Sequence, residues 1–367
     1  MRQADYQRAM VGVGLGLWLL AAAWSGAAEL AGQQPPPATK IVQVVGPPAV
    51  KLGQPFGLEF DRQGNAYFVE MTGQRVRKLD PKGALSIIAG TGEKGFAGDD
   101  GPSSLAQFNG MHNLAVGPDG TIYLADTWNY RVRAIDPKTG IIRTIAGTGQ
   151  KSYSGDGGPA KDAGFSGVFC ISLAPAADKL YVADLDNRRV RVIDLKTGIV
   201  SLVAGNGKKG VPRDGAPAGE EPLVDPRAVV ADRAGNVYIL ERGGHALRVV
   251  DAAGKIRTVA GTGTPGLAGD GGPALQAKFN GPKYLTLDRD GSVLICDTEN
   301  HVIRRYLPET GQIVRVAGTG KRGTGGLGGP PLECELNQPH GVTVGPDGTL
   351  FICDSSNHRI LQIVPAN

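Results

Sequence analysis

The sequence predicts an all-β fold: a six-bladed β-propeller of four-stranded antiparallel blades, with an N-terminal strand closing the last blade. Three observations carry that expectation. A glycine-rich twenty-residue stretch recurs five times, beginning at Ala89, Ala146, Ala204, Ala260 and Ala317, at spacings of 57, 58, 56 and 57 residues. Between recurrences lie four short alternating runs divided by turn residues. The final unit stops one strand short, and a run of the missing kind stands near the start of the chain. So regular a period over nearly the whole chain marks a repeat architecture. The 56 glycines and 25 prolines, without a collagen-like period, suit a protein of many tight turns.

In chain order, residues 1–27 read as a signal peptide. Arg2 and Arg8 precede an apolar run from Met10 to Trp24, and Ser25 and Ala27 supply small residues for cleavage. That run is short for a membrane span. The expectation is therefore an extracytoplasmic protein, periplasmic or secreted, with no membrane association beyond the signal peptide; the alternative is an uncleaved N-terminal anchor. No cysteine follows the run, which argues against a lipid-modified N-terminus. Residues 28–39, within which lies "GQQPPPAT", read as a stiff Pro-rich linker, and residues 40–367 as the propeller.

One unit can be followed from Asn109. "HNLAVGP" is an inner strand, "PDG" a hairpin turn, "TIYLADT" a second strand and "WNY" a second turn. "RVRAID", "PKTG" and "IIRTIAG" then supply a third strand, a turn and an outer strand. Asp and Gly suit these turns because they tolerate left-handed backbone angles. Inner strands begin at Phe56, His112, Phe169, Arg227, Lys283 and His340, which makes six units. The last, "GVTVGPDGTLFICDSSNHRILQIVPAN", has three strands. "KIVQVVG" at 40–46 matches the outer strand "QIVRVAG" at 312–318, so joining the termini in one blade removes the exposed edges of an open ring.

The glycine-rich stretches resemble phosphate-binding loops only superficially, since none leads into a long amphipathic helix or carries a Lys-Ser/Thr pair. They read instead as connections from an outer strand to the next inner strand. "GDGGPAKDA" suits a short helical turn with Pro159 in its first turn. Phe165 would pack beneath it, as would Phe108 and Phe279 in their copies. Asp99, Asp156, Asp214 and Asp270 recur in these connections, with Leu327 in the fifth. A calcium site needs six to eight oxygens, and turn formation explains single aspartates among glycines more simply. Cys296 and Cys353 stand where other units carry Ala125 and Ala183, so both read as small buried residues. Cys170 falls in a core strand and Cys334 in a loop. With no CxxC pair, a zinc knuckle is excluded.

The turns "DTENHVI" at 297–303 and "DSSNHRI" at 354–360, with variants "DTWNYRV" and "DLDNRRV", together with "PHGVTVGPDGTLFICD", resemble the NHL repeat. The resemblance recurs in every unit and implies a six-bladed propeller. It implies little about chemistry, because such propellers serve as sensors, scaffolds, RNA binders, lyases and hydrolases. Two units depart from the pattern: "EMTGQRV" and "ERGGHAL" replace Asp by Glu (Glu70, Glu241) and Asn by Gly (Gly73, Gly244), so altered turns are expected there. The repeated Asp and Asn read as turn-fixing residues. Arg75, Arg131, Arg189 and Arg359 form a column expected to bind carbonyls or carboxylates of an adjacent blade.

Long connections crowd one face of the ring and short turns the other, which places function on the long-loop face. Six first positions of the inner strands converge there: Phe56, His112, Phe169, Arg227, Lys283 and His340. The next positions are Gly57, Asn113, Cys170, Ala228, Tyr284 and Gly341. Equivalent but chemically different positions are where a repeat protein departs from its own pattern. His112, Asn113, Arg227, Lys283, Tyr284 and His340 are therefore the candidate ligand-binding residues at the channel mouth. Four potentially cationic groups suggest an anionic or carboxylate-bearing ligand. Related amidating lyases hold zinc with three histidines. Only His112 and His340 match such positions here, and two ligands do not make a zinc site. His245, His301 and His358 share a different column, on the middle turns. A gluconolactonase-like reading needs a channel carboxylate, which this ring lacks, and no catalytic residue can be named.

The expectation is an exported, monomeric, non-catalytic binding or scaffold propeller that meets a protein, peptide or glycan on its long-loop face, without cofactor. The alternative is a lyase or hydrolase at the channel mouth. The net charge of +4 is spread along the chain, with no basic block to follow a nucleic-acid backbone, so nucleic acid is not an expected partner.

Overall fold

The structure, a computed structural model, describes residues 38–366. The signal peptide at 1–27 and all but the last two residues of the linker lie outside the described residues. Thr39, assigned above to the linker, already belongs to the first strand, Thr39–Val45.

Six antiparallel sheets form a ring, each running from an inner strand outward. Blade two shows the scheme: Asn113–Val116, Ile122–Asp126, Arg131–Ile135 and Ile141–Ala146. Blade six is built from Gly341–Val344, Leu350–Asp354 and Arg359–Pro365, and Thr39–Val45 is its outer strand. The pairing runs from Thr39 opposite Pro365 to Val45 opposite Ile360, with a bulge between Gln43 and Val45. Ile41 is fully buried against Val342, Ile352 and Leu361. The chain therefore closes as its unpaired strands require.

Three sheets carry a fifth strand that the sequence reading did not anticipate: Gly101–Pro102, Ala216–Pro217 and Gly272–Pro273. Each belongs to a glycine-rich connection and pairs with the outer strand of the blade it leads into, as Gly101 does with Ile142. In the other connections, Pro159 bridges to Ile199 and Gly329 accepts from Ile41 N–H. These additions cover otherwise open sheet edges. Pro159 precedes the short 3-10 turn Ala160–Asp162 as its cap, extended at φ −60° and ψ 129°, rather than lying in its first turn. It is needed for the edge pairing.

The glycines that open these connections are sterically required. Gly90, Gly147, Gly205, Gly261 and Gly318 all have φ between 92° and 96°. An added Cβ would stand within 2.4 Å of the carbonyl oxygen of Gln74, Tyr130, Arg188, His245 or His301. The fold thus needs the glycine in every copy, as a close packing point between a connection and the middle turn it crosses. Those five turn residues, with His358, are the left-handed residues of the six middle turns, at φ 46° to 57°.

Phe108, Phe165 and Phe279 are fully buried, as expected. Above them lies a ladder that the sequence reading missed. Arg133, Arg191 and Arg304 are fully buried, two residues beyond the position of the expected column. Arg133 donates to Asp99 (3.0 Å) and to the carbonyls of Gln107 and Ala97, and its guanidinium lies 5.2 Å from the Phe108 ring centre. Arg191 and Arg304 repeat this with Asp156 and Asp270. Asp99, Asp156 and Asp270 are thus ion-pair acceptors that clamp each connection to the blade it enters; Asp214 binds Thr258 instead, and Thr258 accepts from Arg248. In blade six both partners change together, to Leu327 and Leu361. The expected column behaves differently. Arg75, Arg131 and Arg189 reach carbonyls of the connection leaving their own blade, not an adjacent blade, whereas Arg359 pairs with Asp354 in its own blade.

The repeated aspartates hold more than a local turn. Asp126 accepts from Asn129 but also from the N–H of Asn109, seventeen residues earlier. Glu70 and Glu241 make the equivalent bonds to Gly53 and Val224. Their longer side chains crowd the paired glycines: an added Cβ at Gly73 or Gly244 would stand 3.0 Å from a Glu70 oxygen or 2.6 Å from a Glu241 oxygen. Those two turns lack the 3-10 geometry seen at Thr127–Asn129, Thr298–Asn300 and Ser355–Asn357, as does the blade-three turn with Asp184 and Asn187. All four cysteines are free and buried, with Cys296 and Cys353 paired across strands to Tyr284 and Gly341 in the place of alanines.

Candidate functional site at the channel mouth

Phe56, His112, Phe169, Arg227, Lys283 and His340 all line one cavity of about 360 Å³ on the long-loop face. Middle-turn residues Met71, Trp128, Arg242 and Ser356 form its rim. The ring has two chemically distinct arcs. Blades six, one, two and three contribute a continuous aromatic arc. His340 stacks on Phe56 at 4.0 Å, Phe56 meets His112 edge-on at 5.3 Å, and His112 meets Phe169 at 4.8 Å. Blades four and five contribute the cations.

Arg227 is only 4% exposed. Its guanidinium lies 4.6 Å over the Phe169 ring, and its one protein hydrogen bond among the described residues is a long 3.4 Å contact to the Phe169 carbonyl. No carboxylate of the described residues pairs with it. Burial lowers its pKa to about 10, so it remains charged at neutral pH. A buried, unpaired guanidinium is costly unless something satisfies it. Lys283 is paired with Glu299 at 2.5 Å, and burial lowers its pKa. Gln338 also donates to Glu299, and its carbonyl accepts from His340 Nδ1 at 2.7 Å.

Both histidines are held neutral. Burial, reinforced by the neighbouring Arg227 and Lys283 charges, lowers their pKa values well below the ordinary range. His112 Nδ1 lies 2.7 Å from the Gly110 carbonyl. A carbonyl can only accept, so in both rings the proton sits on Nδ1 and Nε2 keeps its lone pair. Neither Nε2 has a protein partner among the described residues. The mouth thus offers two lone pairs beside a positive charge, bounded by aromatic edges. Among the described residues, no group of three or more His, Cys, Asp or Glu is placed to hold a metal ion.

Asn113 and Tyr284 lie below the mouth, 1% and 4% exposed, as a plug rather than as part of its lining. Asn113 Nδ2 reaches the Tyr284 hydroxyl at 3.4 Å, across the ring from blade two to blade five. Its Oδ1 accepts from Ile171 N–H at 2.9 Å. The Tyr284 hydroxyl in turn donates to Glu59 of blade one at 3.4 Å. Glu59 is a channel carboxylate missed in the sequence reading, which found none at the first two ring positions. Burial raises its pKa from 4.5 to about 7, against a smaller opposing effect of the Tyr284 bond. The available signal was a lone acid where the other inner strands carry Ala115, Ser172, Val230, Thr286 and Thr343.

The remaining histidines brace the ring. His245 and His301 accept the N–H groups of Gly281 and Gln338 in the following blade, and His358 bonds the carbonyl of Leu52. Gln74 does the same for Gly110.

Six closed blades with these turns define the class, a β-propeller. The NHL repeat model matches residues 336–363, in the last blade, and the chain is similar to NHL-repeat β-propellers. Relatives include the chloroplastic protein SUPPRESSOR OF QUENCHING 1 of Arabidopsis thaliana, 27% identical over 287 residues. NHL repeat-containing protein 2 of Gallus gallus is 25% identical over 290 residues. The alignments cover 75% and 71% of this chain but only 27% and 40% of those longer proteins. Among solved structures, an auxiliary nutrient binding protein from Bacteroides ovatus superposes with a TM-score of 0.65 at 16% identity, covering 90% of this chain and 78% of that one. Virginiamycin B lyase from Staphylococcus aureus gives 0.53 at 14% identity, covering 89% and 99%. At such identities the likeness is one of fold.

Proposed function

We propose that this protein is an exported, non-catalytic binding propeller that captures an anionic group at its channel mouth. The observation that carries the reading is Arg227, a buried cation with no carboxylate partner among the described residues, facing a cavity whose other wall is aromatic. An anion there would supply charge-assisted hydrogen bonds in a poorly solvated site. Solved relatives of this fold include nutrient binding proteins, which accords with a ligand-capturing role. The test is thermal-shift screening of the purified protein against small carboxylates, sulfate and phosphate. At least one anion should raise the melting temperature of the wild type and leave Arg227→Ala unmoved. An equal response from both proteins would remove the mouth from the account.

A second reading, catalysis at the same mouth, draws on the two neutral imidazoles with free Nε2 lone pairs. One of them could act as a base toward a substrate held on Arg227. Turnover of a bound anion that disappears in both His112→Gln and His340→Gln would favour it. Export is tested by the mass of the secreted chain, expected to begin after Ala27.

A further inference from the structure

The cationic arc does not end at the mouth. Arg242, on its rim, also lines a second cavity of about 370 Å³ outside the ring of inner strands, between the middle turns of blades three and four. Lys151, Asp186, Arg188, Lys209 and Asp225 complete the charged lining. Two pairs close on themselves, Lys151 with Asp186 at 2.8 Å and Arg242 with Asp225 at 2.7 Å. Arg188 and Lys209 have no carboxylate partner among the described residues. The basin is therefore net positive.

This junction departs from the repeat. At four other junctions, the left-handed residue of the middle turn bonds backbone of the following blade, through Gln74, His245, His301 or His358. Among the described residues neither Tyr130 in blade two nor Arg188 in blade three makes such a bond, but only at Arg188 does the loss leave charged atoms, its Nε and Asp225 Oδ1, buried without partners. Asp225 stands where the braced N–H belongs to Gly110, Gly281 or Gln338 elsewhere. At this junction the brace between blades is replaced by two charged groups at the edge of a cavity.

We infer that the ligand is a chain of acidic sugars, with one carboxylate at Arg227 in the mouth and a following one at Arg188 and Lys209 in the basin. This rests on reading the mouth as an anion site. Two net-positive pockets bordered by Arg242 suit a ligand with repeated negative groups. Beside the buried aromatic arc, the rim residue Trp128, 41% exposed, offers ring surface to the C–H face of a pyranose, which an acidic peptide side chain lacks. Linking two weak sites through one chain raises affinity without any new contact.

The test uses D-galacturonate, its linear trimer and triglutamate, titrated calorimetrically into the full chain at physiological salt. The trimer should bind on the order of tenfold tighter than the monomer, or better. Arg188→Asn, which keeps a residue tolerant of left-handed backbone, and Lys209→Ala should each abolish most of that gain while leaving monomer affinity and melting temperature unchanged. Arg227→Ala should weaken both sugars. If the trimer shows no gain, or if both basin variants retain it, the basin is not part of the site, although the mouth reading stands. Triglutamate binding as tightly as the sugar trimer would overturn the glycan assignment. Monomer binding that ignores Arg227→Ala would instead bring down the mouth reading.

Discussion

Replacing Glu59 by Gln probes the channel plug. Glu59 lies among Tyr284, Asn113 and Cys170, with burial raising its pKa from 4.5 to about 7. At about 1.4 kcal/mol per pH unit, this corresponds to roughly 3 kcal/mol of folding free energy. Some of its surface remains accessible, so screening reduces the figure to about 2 kcal/mol. The sign follows from the raised pKa. Below about pH 4.5 the group is protonated in both folded and unfolded chains, and its contribution is fully present. That contribution is lost as pH rises through 7, because the folded protein must then hold a buried charge. Glutamine is isosteric with the protonated acid and does not titrate. Urea denaturation at pH 5 and pH 8 should therefore show Glu59→Gln close to wild type at the lower pH. At the higher pH the variant should be more stable than wild type by about 2 kcal/mol. A variant destabilised equally at both values would instead show Glu59 to be an ionised group held by partners.

Other outcomes follow from the same structure. Asp99→Ala removes the acceptor of the buried Arg133 guanidinium and should cost about 2–3 kcal/mol in urea unfolding, discounted from a fully buried pair because Asp99 is 26% exposed. Ile41→Asp places an unpaired charge in the closing blade and should cost about 3 kcal/mol or more; hydrogen exchange should accelerate along Arg359–Pro365 before the other blades. His112 and His340 should show imidazole proton shifts that stay constant as pH falls from about 7.5 to 6, because burial keeps both rings neutral; a midpoint within that range would mean the mouth is wetter than described.

The ring was legible because repetition does much of the work. Equivalent positions in six units fix which residues share a layer, so the converging inner-strand starts and the closing strand could be counted. What escaped depends on contacts between distant segments. Strand alternation places Arg131 and Arg133 on one face, but only the aspartate of an incoming connection decides that Arg133 is the buried one. Glu59 lies three positions after Phe56, beyond a bulge at Gly57 with φ 40°, where simple alternation no longer tells which side a residue faces. The basin between blades three and four joins two connections and two turns, and no local pattern brings Lys209 and Arg188 together.

The most direct measurement is a bromide soak of crystals of the wild type and of Arg227→Ala, read by anomalous scattering. A strong peak within hydrogen-bond reach of the Arg227 guanidinium, absent from the variant, is the expected result. Peaks confined to surface lysines, with the mouth empty in both crystals, would mean that Arg227 holds no anion.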